Sequence, residues 1–391
     1  MFSQKEYQNR IYHLQQRMIE KKIDLTLVSY RPELNYFASS AFNNILAVPL
    51  EGEPILLVRR PFERSRAATW ISTVFPLKTM KMLPSQIKSG GISSFESIGL
   101  ELDVLPAKNY LHYKNLFPNS SLKDISGEIR RVRAVKSPSE IEKMKKAAKI
   151  ADKGQAVVPE ILTEGMTEIE LASQIDQAMR MAGHQGWISF RAWNNELLFS
   201  GHVLSGPNSA IPSYVASPTG GEGLYRSLPQ GPGSRKIKRN EVVFVDIVGV
   251  YDGYHADETR LFCLGSLPRQ LQQAYEVAME IQEHIEEIAK IGVPSSVLHS
   301  QALEIATQND LQDHFMGDPY PVPFLGHGVG LQLDDYPPIA QGFDEPLEKN
   351  MTIALEPKFS FSNLGTSGIE DTLLITSAKA ERLTKAPRLV N

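Results

Sequence analysis

The chain has 391 residues, two to three times the ~100–200 residues of a typical domain, which points to two domains and excludes a lone small binding module. A 42% hydrophobic and 22% charged composition excludes wholesale disorder. The 41 basic residues against 45 acidic ones, a net charge of −4, give no electrostatic footprint for nucleic acid or an anionic membrane. The single cysteine, Cys263, forms no intrachain disulfide and the first residues lack the apolar core of a signal peptide, so a cytoplasmic location is expected. The longest apolar stretch, around Val242 to Val250, is about half of a membrane span and contains Asp246, so no crossing of a membrane is expected.

Residues 1–125 read as an α/β domain. Ile11, Leu14 and Met18 form an apolar stripe that predicts a helix over Glu6 to Lys22, and Ile23 to Val28 predicts a strand. Ile45 to Leu50 and Pro54 to Val58 flank Glu51-Gly52-Glu53 as a hairpin. This region carries no catalytic constellation and reads as a scaffold, interface or lid. Residues 126–138, with the basic run Arg130 to Lys136, read as a solvated or salt-bridged linker. The second domain is then 139–391. Ser137, Pro138 and Glu140 form a capping box that starts a helix with Ile141, Met144, Ala148 and Ala151 on one face, and Thr167 to Glu170 offers a second box for a helix ending near Gly183. Glycine and proline cluster from Gly201 to Gly233, predicting long loops of the kind that often carry function. Two more helices are expected, from Pro268 to Gly292 and from Ser295 to Asn309.

The chemistry is concentrated between Glu241 and Arg260. Two apolar runs flank Asp252-Gly253, a strong hairpin signal. Side chains alternate faces along a strand, so across an even-numbered loop Asp246 and Asp257 point to one face as direct or diagonal neighbours. Two like charges at that distance repel unless one is protonated or a cation sits between them. Asp246 also interrupts the apolar run Val-Phe-Val-Asp-Ile-Val, and a buried carboxylate requires pairing or a metal. His327 in Gly-His-Gly-Val-Gly, Glu356 after Ile353-Ala354-Leu355, and Glu370 before Asp371-Thr372-Leu373 add ligand-type side chains on expected strands. Four carboxylates and one imidazole can hold two divalent cations and activate a water for hydrolysis.

These residues, in this order and context, resemble the pita-bread metallopeptidases, the Xaa-Pro aminopeptidase, prolidase and creatinase-like family, over about residues 130 to 380. The resemblance implies an α/β (α+β) chain, with a creatinase-type N-terminal domain followed by a pita-bread catalytic domain. It implies that Asp246 chelates one metal, that Asp257 and Glu370 bridge, that His327 and Glu356 complete the second position, and that Glu356 is also the general base. The implied cofactors are two divalent ions, Mn²⁺ or else Co²⁺, Zn²⁺ or Fe²⁺, and the implied assembly is a homodimer acting on a small peptide or small molecule. The expected activity is cleavage of Xaa-Pro peptide bonds. The alternatives are a small-molecule lyase or C–N hydrolase on the same site, or a metal-binding homologue without catalysis. Four positions depart from the family pattern, where Ser213, Pro323 and Asp334 stand for histidines and Gly368 for an arginine. Asp334 is therefore a second catalytic candidate, as a base or as the partner of a cationic substrate, with a plain loop aspartate beside Asp335 as the other reading.

Overall fold

A computed structural model describes residues 2–191, 201–213 and 217–388. The chain divides into two compact units, Met1–Arg133 and Ala134–Asn391.

The first unit contains α1 (Gln4–Lys21), β1 (Leu25–Val28), α2 (Arg31–Ala38), β2 (Asn43–Pro49), β3 (Ile55–Arg60), α3 (Phe62–Ala68), β4 (Thr73–Pro76), α4 (Leu83–Ser89), β5 (Ser97–Leu100), α5 (Ala107–Leu116), β6 (Ser121–Asp124) and α6 (Ser126–Ala134). Its sheet runs β4-β3-β2-β1-β5-β6, antiparallel over β1, β2 and β3 and parallel at both ends. The apolar stripe of α1 is buried, and the β2–β3 hairpin forms as its turn predicts. The segment read as a linker differs from expectation. It is largely the helix α6, because Ile129 is fully buried and Arg133 is buried against the Glu33 carboxylate at 3.2 Å. Pairing inside the fold, rather than solvation, takes up that basic residue.

The second unit contains α7 (Pro138–Ile161), α8 (Glu168–Met181), β7 (Gly201–Ser205), β8 (Val243–Tyr251), β9 (Tyr254–Phe262), α9 (Arg269–Ile288), α10 (Ser295–Gln308), β10 (Phe324–Gly328), β11 (Asp335–Ala340), β12 (Thr352–Leu355), β13 (Lys358–Phe361), β14 (Gly365–Gly368), β15 (Glu370–Ile375) and β16 (Ala380–Arg382). Both predicted capping boxes form. The main sheet runs β11-β10-β12-β15-β9-β8-β7, with β16 on β15, and β13 and β14 pair separately. Alternation divides the sheet into two faces. Val243, Val245 and Ile247 of β8 pack with Ile150 and Val158 of α7 and Ile175 and Met179 of α8, while Leu373 and Ile375 of β15 enter the core built on α9 and α10. The helices thus cover one face, and residues of the opposite parity, Asp246 and Glu370 among them, face away from it.

The glycine-rich stretch corrects the sequence reading in one place. Gly201–Ser205 is a strand, not loop, because Val203 and Leu204 are fully buried and the segment completes the edge of the sheet against β8. The Glu168 carboxylate at the start of α8 fixes the end of that strand by accepting hydrogen bonds from the Ser205 amide and hydroxyl, the Asn208 side chain and the Gly233 amide.

Candidate metal centre

The β8–β9 hairpin closes through Asp252 and Gly253, both at positive φ, and pairs Tyr251 with Tyr254. That register sets Asp246 opposite Thr259 and Val248 opposite Asp257, so the two aspartates are diagonal neighbours on one face. Thr259 is in turn opposite Glu370 of β15, and His202 of β7 is opposite Asp246. A single row across four strands therefore reads His202, Asp246, Thr259, Glu370. His327 enters from β10, and Glu356 follows the last residue of β12.

All five sequence-predicted ligands converge. One ligand atom from each of Asp257, His327 and Glu370 lies within 4.8 Å of the others. His327 Nε2 stands 4.0 Å from Asp257 Oδ2 and 3.8 Å from Glu356 Oε1, while its Nδ1–H donates to the Gly328 carbonyl at 3.0 Å, the tautomer that leaves Nε2 free to ligate. Thr259 Oγ1 donates to Glu370 Oε2 at 2.8 Å. The other oxygen of that buried carboxylate, Oε1, has no hydrogen-bond partner among the described residues. Burial, followed by repulsion from Glu370 and Asp246, raises the Asp257 carboxyl well above its ordinary range. Glu370 is pushed up to about 7 by burial, against the lowering effect of Lys358. Burial alone would lower the His327 pKa, but the Asp334, Glu356 and Glu370 carboxylates outweigh it and raise it. An orphaned oxygen, a free imidazole nitrogen and crowded buried carboxylates are what a hard or borderline divalent cation would satisfy, so the residues present fit a metal.

Two groups in the centre escaped the sequence reading. Lys358 opens β13 with its side chain 1% exposed, and its Nζ donates to Asp246 Oδ2 at 3.2 Å, Glu356 Oε2 at 2.7 Å and Glu370 Oε2 at 3.0 Å. Burial opposes its charge, but the three carboxylates outweigh that and raise its pKa well above the ordinary lysine value. His202 is buried beside Asp246, with Nδ1 3.3 Å from Thr219 Oγ1 and Nε2 2.8 Å from Gln230 Nε2. Burial holds the pKa of this imidazole below its ordinary value.

The ligands form one wall of a cavity of about 290 Å³, at the lower end of the ~300–1,000 Å³ common for small-molecule clefts. Ile188, Phe190, Leu333 and Phe343 supply apolar walls, and Pro323 and Asp334 also line it. Ser213 is not among the lining residues; its hydroxyl donates to Gln230 Oε1 at 2.7 Å, one step behind His202. Gly368 pairs with Lys358 across β13 and β14. The non-standard positions thus separate into two that touch the cavity and two that act behind it.

A model of metallopeptidase family M24 matches residues 142–377, and one of the creatinase/prolidase N-terminal domain matches residues 10–135. The chain is 32% identical over 299 residues to an Xaa-Pro dipeptidase of Pyrococcus furiosus, spanning 76% of each protein. The chain belongs to metallopeptidase family M24. The M24 assignment extends to three dimensions. The prolidase of Pyrococcus horikoshii superimposes with a TM-score of 0.81 at 26% identity, covering 98% of this chain and 100% of that one. The prolidase of Pyrococcus furiosus gives 0.78 at 28% identity over 96% and 100%. The creatinase-type and pita-bread domain types expected from the sequence are those of the family. As an M24 metallopeptidase homologue, the chain carries a centre for divalent metal.

Proposed function

We propose that this protein is a metal-dependent hydrolase of Xaa-Pro peptide bonds, with Asp246, Asp257, His327, Glu356 and Glu370 as the metal-binding set. The observation that carries this reading is the convergence of four carboxylates and a correctly polarised imidazole on one wall of a small, otherwise largely apolar cavity. The names of its relatives, Xaa-Pro dipeptidases and prolidases, supply the substrate class. A bound divalent cation would supply Lewis acidity, lowering the pKa of water and polarising a carbonyl oxygen.

The chain's own residues do the rest. Glu356, at the cavity wall, accepts a proton from the attacking water and returns it to the prolyl nitrogen as the peptide bond breaks. Apolar side chains such as Ile188, Phe190 and Phe343 receive the proline ring and exclude bulk water. Asp334 faces the same space and presents a negative charge to the free amino group of the substrate. Mn²⁺ is the proposed ion, since carboxylate-rich sites suit it, with Co²⁺, Zn²⁺ and Fe²⁺ as the alternatives. A cytoplasmic homodimer completes the reading. The lone buried Cys263 suits a reducing compartment, and light scattering checks the assembly.

The test is hydrolysis of Xaa-Pro dipeptides and Xaa-Pro-Yaa tripeptides by metal-loaded protein. Cleavage that stops on chelation and returns with Mn²⁺ supports the assignment; a fully metallated protein inert on the whole panel overturns it.

A further inference from the structure

The carboxylate oxygens of the centre divide into two groups. Asp246 Oδ2, Glu356 Oε2 and Glu370 Oε2 converge on Lys358 Nζ and use all three of its donors. Asp257 Oδ2 and Glu356 Oε1 instead flank His327 Nε2, and Glu370 Oε1 has no hydrogen-bond partner among the described residues. Glu356 and Glu370 each give one oxygen to the ammonium and keep the other. Each carboxylate pair that would hold two cations side by side thus already holds one, and that one is covalently part of the chain. We propose that the Lys358 ammonium is a tethered cation filling one of the two cation positions, so that the protein binds a single divalent metal per chain, at Asp257, His327, Glu356 and Glu370.

The fold keeps the ammonium in place. Lys358 is the first residue of β13, and its side chain has the Phe244 ring 5.6 Å from Nζ on one side. On the other side its backbone pairs with Gly368. A Cβ added at Gly368 would stand 2.8 Å from both Cα and Cγ of Lys358, so the glycine is what gives the lysine stem room to run into the centre. The absent side chain at 368 and the inserted ammonium are two halves of one arrangement. Charge points the same way. Four carboxylates with one ammonium and one divalent ion leave a single negative charge, whereas a second divalent ion would have to enter against an ammonium that its own ligands hold.

This inference rests on the metal-dependent reading above and not on the substrate, and it narrows the five-residue set by assigning Asp246 to the ammonium rather than to the metal. The experiment uses the full chain, stripped with chelator and titrated with Mn²⁺, with ions counted by native mass spectrometry and electron paramagnetic resonance recorded at saturation. Wild-type protein is expected to take up one ion per chain and to show the six-line spectrum of isolated Mn²⁺. Lys358→Met is expected to take up two and to show exchange coupling, and Lys358→Arg to remain at one. Two coupled ions in the wild type overturn the proposal while leaving the metal-dependent reading intact. One ion in both wild type and a folded Lys358→Met also overturns it. No ion in the wild type overturns both readings. If Lys358→Met fails to fold, the wild-type count and spectrum still decide.

Discussion

Arg260 and Asp371 form a buried ion pair, Nη2 to Oδ1 at 2.8 Å, on the helix-covered side of the sheet whose other side carries the proposed metal ligands. The same nitrogen lies 2.8 Å from Glu258 Oε1, and Nε donates to the Ala386 carbonyl. The adjacent residues Thr259 and Glu370 are in the centre, so this network holds the two strands that present them. Arg260→Met leaves the buried Glu258 carboxylate without its cation, while Asp371 keeps the Arg388 guanidinium at 2.6 Å, and is expected to cost about 3–5 kcal/mol. Denaturant unfolding measures this, and a loss below about 1 kcal/mol would mean that the carboxylates relax by other means.

Gly249 on β8 packs directly against the backbone of α7. An added Cβ would collide with the Ala147 carbonyl oxygen and stand 2.8 Å from the Ala151 amide nitrogen, neither of which can turn aside. Gly249→Ala should lower stability by roughly 1–3 kcal/mol or more through overpacking, with a clear fall in Tm. An unchanged Tm would show that helix and strand separate freely.

Asp257→Asn removes a charge and a donor from the metal wall without changing side-chain volume. Loss of groups that merely support a ligand typically weakens metal binding by ~10–100-fold, so loss of this one should weaken it by at least that much. Competition with a chelator reads the change. Wild-type affinity in the variant would remove Asp257 from the ligand set.

His184 gives a pH dependence of stability. Its Nε2–H donates to the Val248 carbonyl at 3.1 Å and its Nδ1 accepts from the Gly186 amide at 3.0 Å, a pattern only the neutral ring can make. Burial, with a smaller contribution from Arg180, holds its pKa below the ordinary 6.5. The unfolded chain therefore binds the proton first, so this contribution to stability is complete above about pH 6.5 and declines as the pH falls below it. Unfolding free energies measured from pH 8 to 5 should show this slope in the wild type and a shallower one in His184→Gln. Equal slopes would assign the dependence elsewhere.

The convergence of the five candidate ligands was legible because their signals are local. A two-residue turn fixes parity, and a carboxylate in an otherwise apolar strand has few explanations. Lys358 was not legible, since Lys-Phe-Ser-Phe after a proline reads as an ordinary alternating strand with its lysine in water. Its inward course depends on Gly368, ten residues away and meaningful only once β13 and β14 pair. β7 was hidden for a related reason. Its five residues include a glycine and have no amphipathic pattern, and the strand exists through pairing with β8. In the first unit α3 and α4 are seven residues each, too short for a helical period to stand out, and α6 hid behind its basic residues until Glu33 supplied the partner.

The tight turn at Asp252 and Gly253 gives the centre an unusual sensitivity to length. Inserting one residue there would rotate every later side chain of β9 to the opposite face, sending Asp257 and Thr259 under the helices and bringing Glu258 and Arg260 to the cavity, with no functional residue altered. Inserting two would preserve the faces and only slide the rows. The centre is encoded as much in an even count between two aspartates as in the aspartates themselves, and a one-codon insertion at an exposed turn would disable it as thoroughly as any substitution among the ligands.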